Sequence, residues 1–109
     1  MPLADPKQLP IPFPIEKIDD FCRRWNVTNF ALFGSVLRPD FRPDSDVDVL
    51  VTFSPEARPT LLTLSQMQFE LEEIFRRRVD LAERGGVEQM RNPYYRREIL
   101  GTAQVMHAR

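Results

Sequence analysis

Three aspartates stand in or beside apolar runs where carboxylates are not expected. Asp46 and Asp48 flank Val47 at the head of a run that reaches Phe53, and Asp80 lies between Val79 and Leu81. An unpaired carboxylate among apolar neighbours costs several kcal/mol, so such a group is neutralised, paired with a cation or bound to a metal. Read as part of one strand from Asp46 to Phe53, Asp46 and Asp48 leave the same face roughly 7 Å apart at the backbone, close enough to share divalent ions. Asp80, on what reads as a neighbouring strand, adds a third carboxylate to that face. All-oxygen ligation suits Mg²⁺ or Mn²⁺, hard ions that keep several waters and take further ligands from phosphates. The same residues also fit a plainer arrangement, in which Asp44, Asp46 and Asp48 decorate a turn and an exposed edge while Asp80 pairs with a nearby arginine. A calcium loop is excluded, because counting from Asp44 puts Val49 where the loop glycine is needed and Pro55 where the bidentate glutamate belongs.

Gly34-Ser35 supplies the second chemical element. It ends the apolar run Asn29 to Phe33, and a glycine-serine turn at a strand end, opening a short helix, presents backbone N–H groups and a hydroxyl to phosphate oxygens. Ten residues separate this pair from Asp46-Val47-Asp48. The Gly-Ser pair, the ten-residue spacer and the Asp-x-Asp step, preceded by a hydrophobic strand ending at Phe33, followed by a third strand aspartate and carrying Ser45 before Asp46, together resemble the signature of the polymerase-β-like nucleotidyltransferase superfamily. The short chain and the segment Asn92-Pro93-Tyr94-Tyr95-Arg96-Arg97-Glu98 resemble its minimal nucleotidyltransferases, small proteins often paired with HEPN-type ribonuclease toxins. The resemblance spans residues 15 to 107.

That resemblance implies a role for each matching position. Gly34 and Ser35, with Arg38 and Ser45, would bind the triphosphate of ATP. Asp46 and Asp48 would ligate Mg²⁺, two ions in all, with Asp80 completing one metal site and helping to take the proton from an attacking hydroxyl. Two cations can bridge nucleophile, α-phosphate and leaving pyrophosphate, offsetting the charge that develops in an in-line displacement. The implied acceptor is a tyrosine of a HEPN-type toxin, silenced by AMP in an antitoxin role. The alternative is a non-catalytic antitoxin that neutralises its partner by complex formation alone. Transfer to a small molecule such as an aminoglycoside predicts an additional acceptor-binding domain, which these residues do not contain. Arg38 either touches phosphate or pairs with Asp40 or Asp44. Arg76, Arg77 and Arg78 read as a solvated cap at a helix C-terminus, where cations are favoured. Base specificity and oligomeric state are not written in the sequence.

These groups need elements to position them, and the pattern supplies an α/β domain with a small mixed sheet of three to four strands and helices packed on it. Residues 1–14, with Pro2, Pro6, Pro10, Pro12 and Pro14, read as an extended arm lying on the domain or on a partner, outside any sheet core, and residues 15–109 as the nucleotidyltransferase domain. Ile15, Ile18, Phe21, Cys22 and Trp25 recur at helical spacing, with Pro14 as the start and Asn26 as the end. Cys22 reads as buried packing. Prolines at 39 and 43 keep any helix after Gly34 short. Thr60 reads as the N-cap of a helix whose stripe is Leu64, Met67, Leu71, Ile74 and Phe75, with Gln66, Gln68, Glu70, Glu72 and Glu73 facing solvent. Val79-Asp80-Leu81 reads as a central third strand and Gly85-Gly86 as a break. Asn92-Pro93 starts a last helix, with Gly101 as its stop. Ala103 to His107 fits either an edge strand or more helix, Tyr94 and Tyr95 cannot both face the core, and His107 has no visible ligand set.

Composition sets the remaining bounds. A chain of 109 residues, 42% hydrophobic, with a formal net charge of −1, fits one globular domain. It buries about two-thirds of its unfolded surface, leaving little area to recognise a second substrate unaided. The absence of basic excess argues against direct nucleic-acid binding. One cysteine and no long apolar run set the expectation of a reducing cytoplasm and no membrane span.

Overall fold

In the computed structural model, which describes residues 4–108, alternating burial along the chain sets up two helical layers around one sheet. Pro2 of the arm and the terminal Arg109 lie outside the described residues. The elements are α1 (Ile15–Trp25), β1 (Val27–Phe33), β2 (Val47–Phe53), α2 (Leu61–Phe75), β3 (Val79–Glu83), α3 (Arg84–Glu88), α4 (Pro93–Thr102) and β4 (Gln104–Ala108). Pro14 occupies the N-cap of α1 and Asn26 ends it in the left-handed conformation, which an asparagine tolerates. The Thr60 side chain caps α2 by accepting the Thr63 N–H, and Asn92 caps α4 by accepting the Tyr94 N–H.

The strands form a mixed sheet in the order β3-β2-β1-β4. β1 runs antiparallel to β2 and β4, and β3 runs parallel to β2. One face carries Phe30, Leu32, Val47, Val49, Val51 and Val79 against Ile18, Phe21 and Cys22 of α1 and Met67, Leu71 and Phe75 of α2. Val47, Val49 and Val51 are fully buried, each contributing about 1.5–3 kcal/mol of apolar stabilisation. The other face is thinner, with Ala31 and Leu50 meeting Val87 of α3 and, around them, Phe33, Ala82, Ile99, Leu100 and Ala103.

Several expectations need correction. β3 is an edge strand rather than a central one, because β1 takes the other side of β2. Gly85 and Gly86 do not break the chain; they lie inside α3, whose first turn is capped by the Glu83 carboxylate. Gly101 does not stop α4, which continues to Thr102. The tail from Gln104 is strand, the first of its two alternatives. Asp46 precedes β2 instead of opening it. Phe69 is 69% exposed on the outer side of α2, among the polar residues expected there, while Glu70 and Glu72 are partly covered. The arm lies on the domain, its Ala4 N–H donating to the Val105 carbonyl (2.8 Å), and it also enters the main core through buried Ile11 and the Phe13 ring on Phe30 and Phe75.

Candidate active site

Strand direction gathers the chemical residues at one end of the sheet. Because β1 opposes β2 while β3 follows it, the C-terminal end of β1 lies beside the N-terminal ends of β2 and β3. Phe33 pairs with Asp48, and Asp48 pairs with Asp80. Registered partners share a face, so Asp48 and Asp80 stand side by side about one strand spacing (roughly 4.8 Å) apart at the backbone. That face is the thinner one, away from α1 and α2.

Gly34 closes the gap between β1 and Asp48. Its φ of +75° suits a residue without Cβ, and a Cβ built there would overlap Oδ2 of Asp48 and lie 3.1 Å from its Cγ. The space that a side chain would fill is occupied by the carboxylate. The chain then makes a four-residue 3₁₀ turn, Gly34–Leu37, as short as the prolines that follow require, so individual turn N–H groups matter here rather than a helix dipole. The Ser35 N–H donates to the Asp48 carboxylate, and the Ser35 hydroxyl donates to the Asp46 carbonyl (3.2 Å). Turn and Asp-x-Asp segment are thus tied together twice.

The three carboxylates differ in environment. Asp48 is half-buried, whereas Asp46 and Asp80 are exposed. Burial pushes the Asp48 carboxyl up from its ordinary value, and the charges of Asp80 and Asp46 push it the same way, against the Ser35 N–H and the Arg38 guanidinium. This like-charge crowding is the electrostatic mark of a site that gains from a bound cation. Among the described residues, no three His, Cys, Asp or Glu side chains form a ready-made metal cluster. The donor set is all carboxylate oxygen, which fits a hard divalent ion completed by water and phosphate oxygens rather than a caged structural metal.

The remaining expected groups fall nearby in different states. Arg38 lies with its Nε 3.7 Å from Asp40, the ion pair of its two alternatives, and its charge is felt at Asp48. The Ser45 hydroxyl accepts the Arg42 N–H (3.0 Å), which makes it a turn closure just ahead of Asp46. A groove of about 1040 Å³ starts at Gly34 and Arg38 and passes Phe41, Leu9, Tyr95 and Glu98, with Asp46, Asp48 and Asp80 outside its walls. Tyr94 and Tyr95 are both exposed, and neither enters the core. The reading that missed most concerns Arg77. Instead of joining a solvated cap, it packs with its guanidinium carbon 5.1 Å from the Phe41 ring centre.

A nucleotidyltransferase domain model matches residues 15–105, a span that contains the turn and all three carboxylates. The chain belongs to this nucleotidyltransferase family. It is 41% identical over 58 residues to the protein adenylyltransferase MntA of Thermococcus cleftensis, covering 53% of this chain and 57% of that protein. The match therefore spans a little over half the length of that relative. A candidate protein adenylyltransferase of Methanocaldococcus jannaschii is 30% identical over 76 residues, covering 70% of this nucleotidyltransferase and 73% of the relative. Among solved structures, a candidate minimal nucleotidyltransferase superposes with a TM-score of 0.61 at 33% identity, covering 81% and 84% of the two chains. A toxin–antitoxin structure with AMP-PNP superposes with a TM-score of 0.68 over 89% of this chain and 75% of that one, at 15% identity, and so shares the fold. No helix among the described residues is long and apolar enough to cross a membrane.

Proposed function

We propose that this chain transfers AMP from ATP to a tyrosine hydroxyl of a HEPN-type ribonuclease toxin and thereby acts as its antitoxin. The observation that supports the reading is the Gly34–Asp48 junction, where the Gly34-Ser35 turn and the Asp48 carboxylate are packed so closely that a Cβ at position 34 would overlap the carboxylate. The relatives support the acceptor class, since the Thermococcus protein is a protein adenylyltransferase and one solved neighbour is a tri-AMPylated Shewanella oneidensis HEPN toxin in complex with its MNT antitoxin.

The chain's own groups divide the work. The turn at Gly34 and Ser35 would orient the triphosphate, with Arg38 and Ser45 beside it. Asp46 and Asp48, with Asp80 on the neighbouring strand, would hold the divalent ions, two Mg²⁺ in this reading. Ions held there would screen the triphosphate from the carboxylates and would stabilise charge on the α-phosphate and the leaving pyrophosphate. Asp80, the exposed member on the edge strand, would receive the acceptor's phenolic proton as the phenolic oxygen bonds to the α-phosphorus and pyrophosphate leaves. A domain this small presents the acceptor poorly by itself, so the partner brings the tyrosine to the open sheet end. We place the reaction in the cytoplasm.

The test is the intact mass of the separately purified HEPN-type partner after incubation with this protein, Mg²⁺ and ATP. The expected result is a gain of one or more AMP units that disappears with the Asp46→Ala/Asp48→Ala double variant. A stable complex that still neutralises the toxin without any mass gain would replace this reading with neutralisation by binding.

A further inference from the structure

The ten residues between Ser35 and Asp46 must hold the phosphate-facing turn and the carboxylates in one fixed relation, yet they contain no strand and little helix. Local hydrogen bonds divide the spacer into successive turns: the Arg38 N–H donates to the Ser35 carbonyl (3.0 Å), the Phe41 N–H to the Arg38 carbonyl (3.3 Å) and the Ser45 N–H to the Arg42 carbonyl (3.0 Å). Turns of this kind fix local shape but do not anchor the segment to the sheet. Val36 and Leu37 anchor its first residues in the main core, and Phe41, whose partly buried ring packs against the same core, anchors the stretch nearer Asp46.

Arg77 lies over that ring, with its Nε and Nη1 shielded from solvent and without hydrogen-bond partners. Shielding donors of a guanidinium without partners costs free energy, and stacking on an aromatic face offsets part of that cost. The next residue, Arg78, accepts the Val47 N–H at its carbonyl (2.9 Å). One two-residue segment therefore grips both sides of Asp46: the spacer before it through Phe41, and the first residue of β2 after it through Val47.

We propose that Arg77 is a positioning residue, acting through Phe41 to hold the spacer so that Asp46 keeps its place beside the Gly34-Ser35 turn. The inference rests on the nucleotidyl-transfer reading for its catalytic consequence and on the Arg77–Phe41 stack for its structural one. A small displacement of a metal-ligating carboxylate costs rate far more than it costs nucleotide affinity.

Two measurements on the full chain separate these claims. In hydrogen–deuterium exchange, Arg77→Met should speed exchange in peptides covering residues 38–46 while leaving β1, α1 and α2 unchanged. Arg77→Lys, which keeps a cation over the ring, should restore part of the protection, and Phe41→Leu should reproduce the loss. In AMP transfer to the HEPN-type partner, Arg77→Met should lower kcat roughly tenfold with KM for ATP within about twofold, and the Arg77→Met/Phe41→Leu double variant should be no worse than the poorer single variant. Exchange that rises across the whole sheet, unchanged exchange at 38–46, or a local rise with unchanged kcat would each overturn the proposal. If the unaltered protein transfers no AMP, the nucleotidyl-transfer reading falls, while local exchange at 38–46 still decides the clamp.

Discussion

Among the described residues, two junctions bring a carboxylate against glycine, and they are built to opposite ends. At the first turn of α3, the Glu83 side chain accepts the Gly85 and Gly86 N–H groups, the latter at 3.1 Å, and closes an otherwise open helix end. At the end of β1, the Asp48 carboxylate fills the space beside Gly34 but receives the Ser35 N–H in a half-buried position between two other aspartates. Glu83 is held by two donors in a local loop that completes itself. Asp48 is half-buried and crowded by the like charges of Asp80 and Asp46. A carboxylate beside glycine is therefore a closed cap where its donors are sufficient and a crowded, unbalanced group where burial and like charges act on it.

The sharpest way to break this contrast is to neutralise Asp48. Asp48→Asn should lower AMP transfer by roughly a thousandfold or more, the loss expected if Asp48 holds charge-stabilising ions as proposed. Its stability should move the other way. Because the folded protein raises the Asp48 carboxyl, stability falls as pH rises from the ordinary aspartate range through the raised value, and the ionised group remains a liability above it. The amide removes that liability, so Tm near neutral pH should hold or rise by a few degrees, as thermal unfolding followed by circular dichroism would show. A variant that loses both activity and several degrees of Tm would make Asp48 a structural residue like Glu83.

The glycines sharpen the same contrast with a smaller effect. Gly34→Ala puts a Cβ into the Asp48 carboxylate at a φ of +75°, and it should cost about 1–2 kcal/mol while lowering transfer roughly a hundredfold. Gly85→Ala places its Cβ 2.9 Å from a terminal oxygen of Glu83, which a flexible side chain can yield at negative φ, so stability should change by less than about 1 kcal/mol and transfer not at all. Denaturant unfolding and the partner-mass assay on both variants separate the two junctions. Equal activity losses would show that the Gly34 contact has no special place in the site.

What the sequence disclosed follows the range of the interactions involved. Helices α1 and α2 were readable because their stripes and the caps at Asn26 and Thr60 are encoded within a few residues. The alternation of Val47, Val49 and Val51 likewise announced a strand with one buried face. The Gly-Ser and Asp-x-Asp elements were visible as types at a spacing, but their contact at Gly34–Asp48 depends on β1 turning back beside β2, which no local pattern states. Position within the sheet was also hidden: Val79-Asp80-Leu81 looks the same at a centre as at an edge. α3 was missed because two glycines argue against helix, and the stabilising cap is a glutamate rather than a residue of the usual capping set. Arg77 was assigned to water because basic residues at a helix end usually belong there, and its aromatic partner is remote in the chain.

Glu70 provides the last comparison, since it is a carboxylate whose environment shifts it oppositely to Asp48. The Arg24 guanidinium donates to both of its oxygens, the Trp25 indole N–H donates at 3.1 Å, and Arg24 also reaches Asp20. These partners, Arg24 first, hold the Glu70 carboxyl below the usual glutamate value against a smaller opposing effect of burial. The folded state then binds fewer protons than the unfolded one, so this contribution is complete above the ordinary glutamate range and is lost as pH falls through the lowered value. Solvent screening keeps it small, because the Arg24 side chain is 49% exposed. Glu70→Gln should therefore lower Tm by a few degrees at most at neutral pH and have progressively less effect in acid, whereas the benefit of Asp48→Asn should shrink over the higher range in which Asp48 becomes protonated. Thermal unfolding of the two variants across acid pH tests the contrast directly: Tm differences of the same sign at neutral pH would mean that Asp48 is as well satisfied as Glu70, and the distinction between a completed carboxylate and a poised one would fail at the residue on which the candidate site depends.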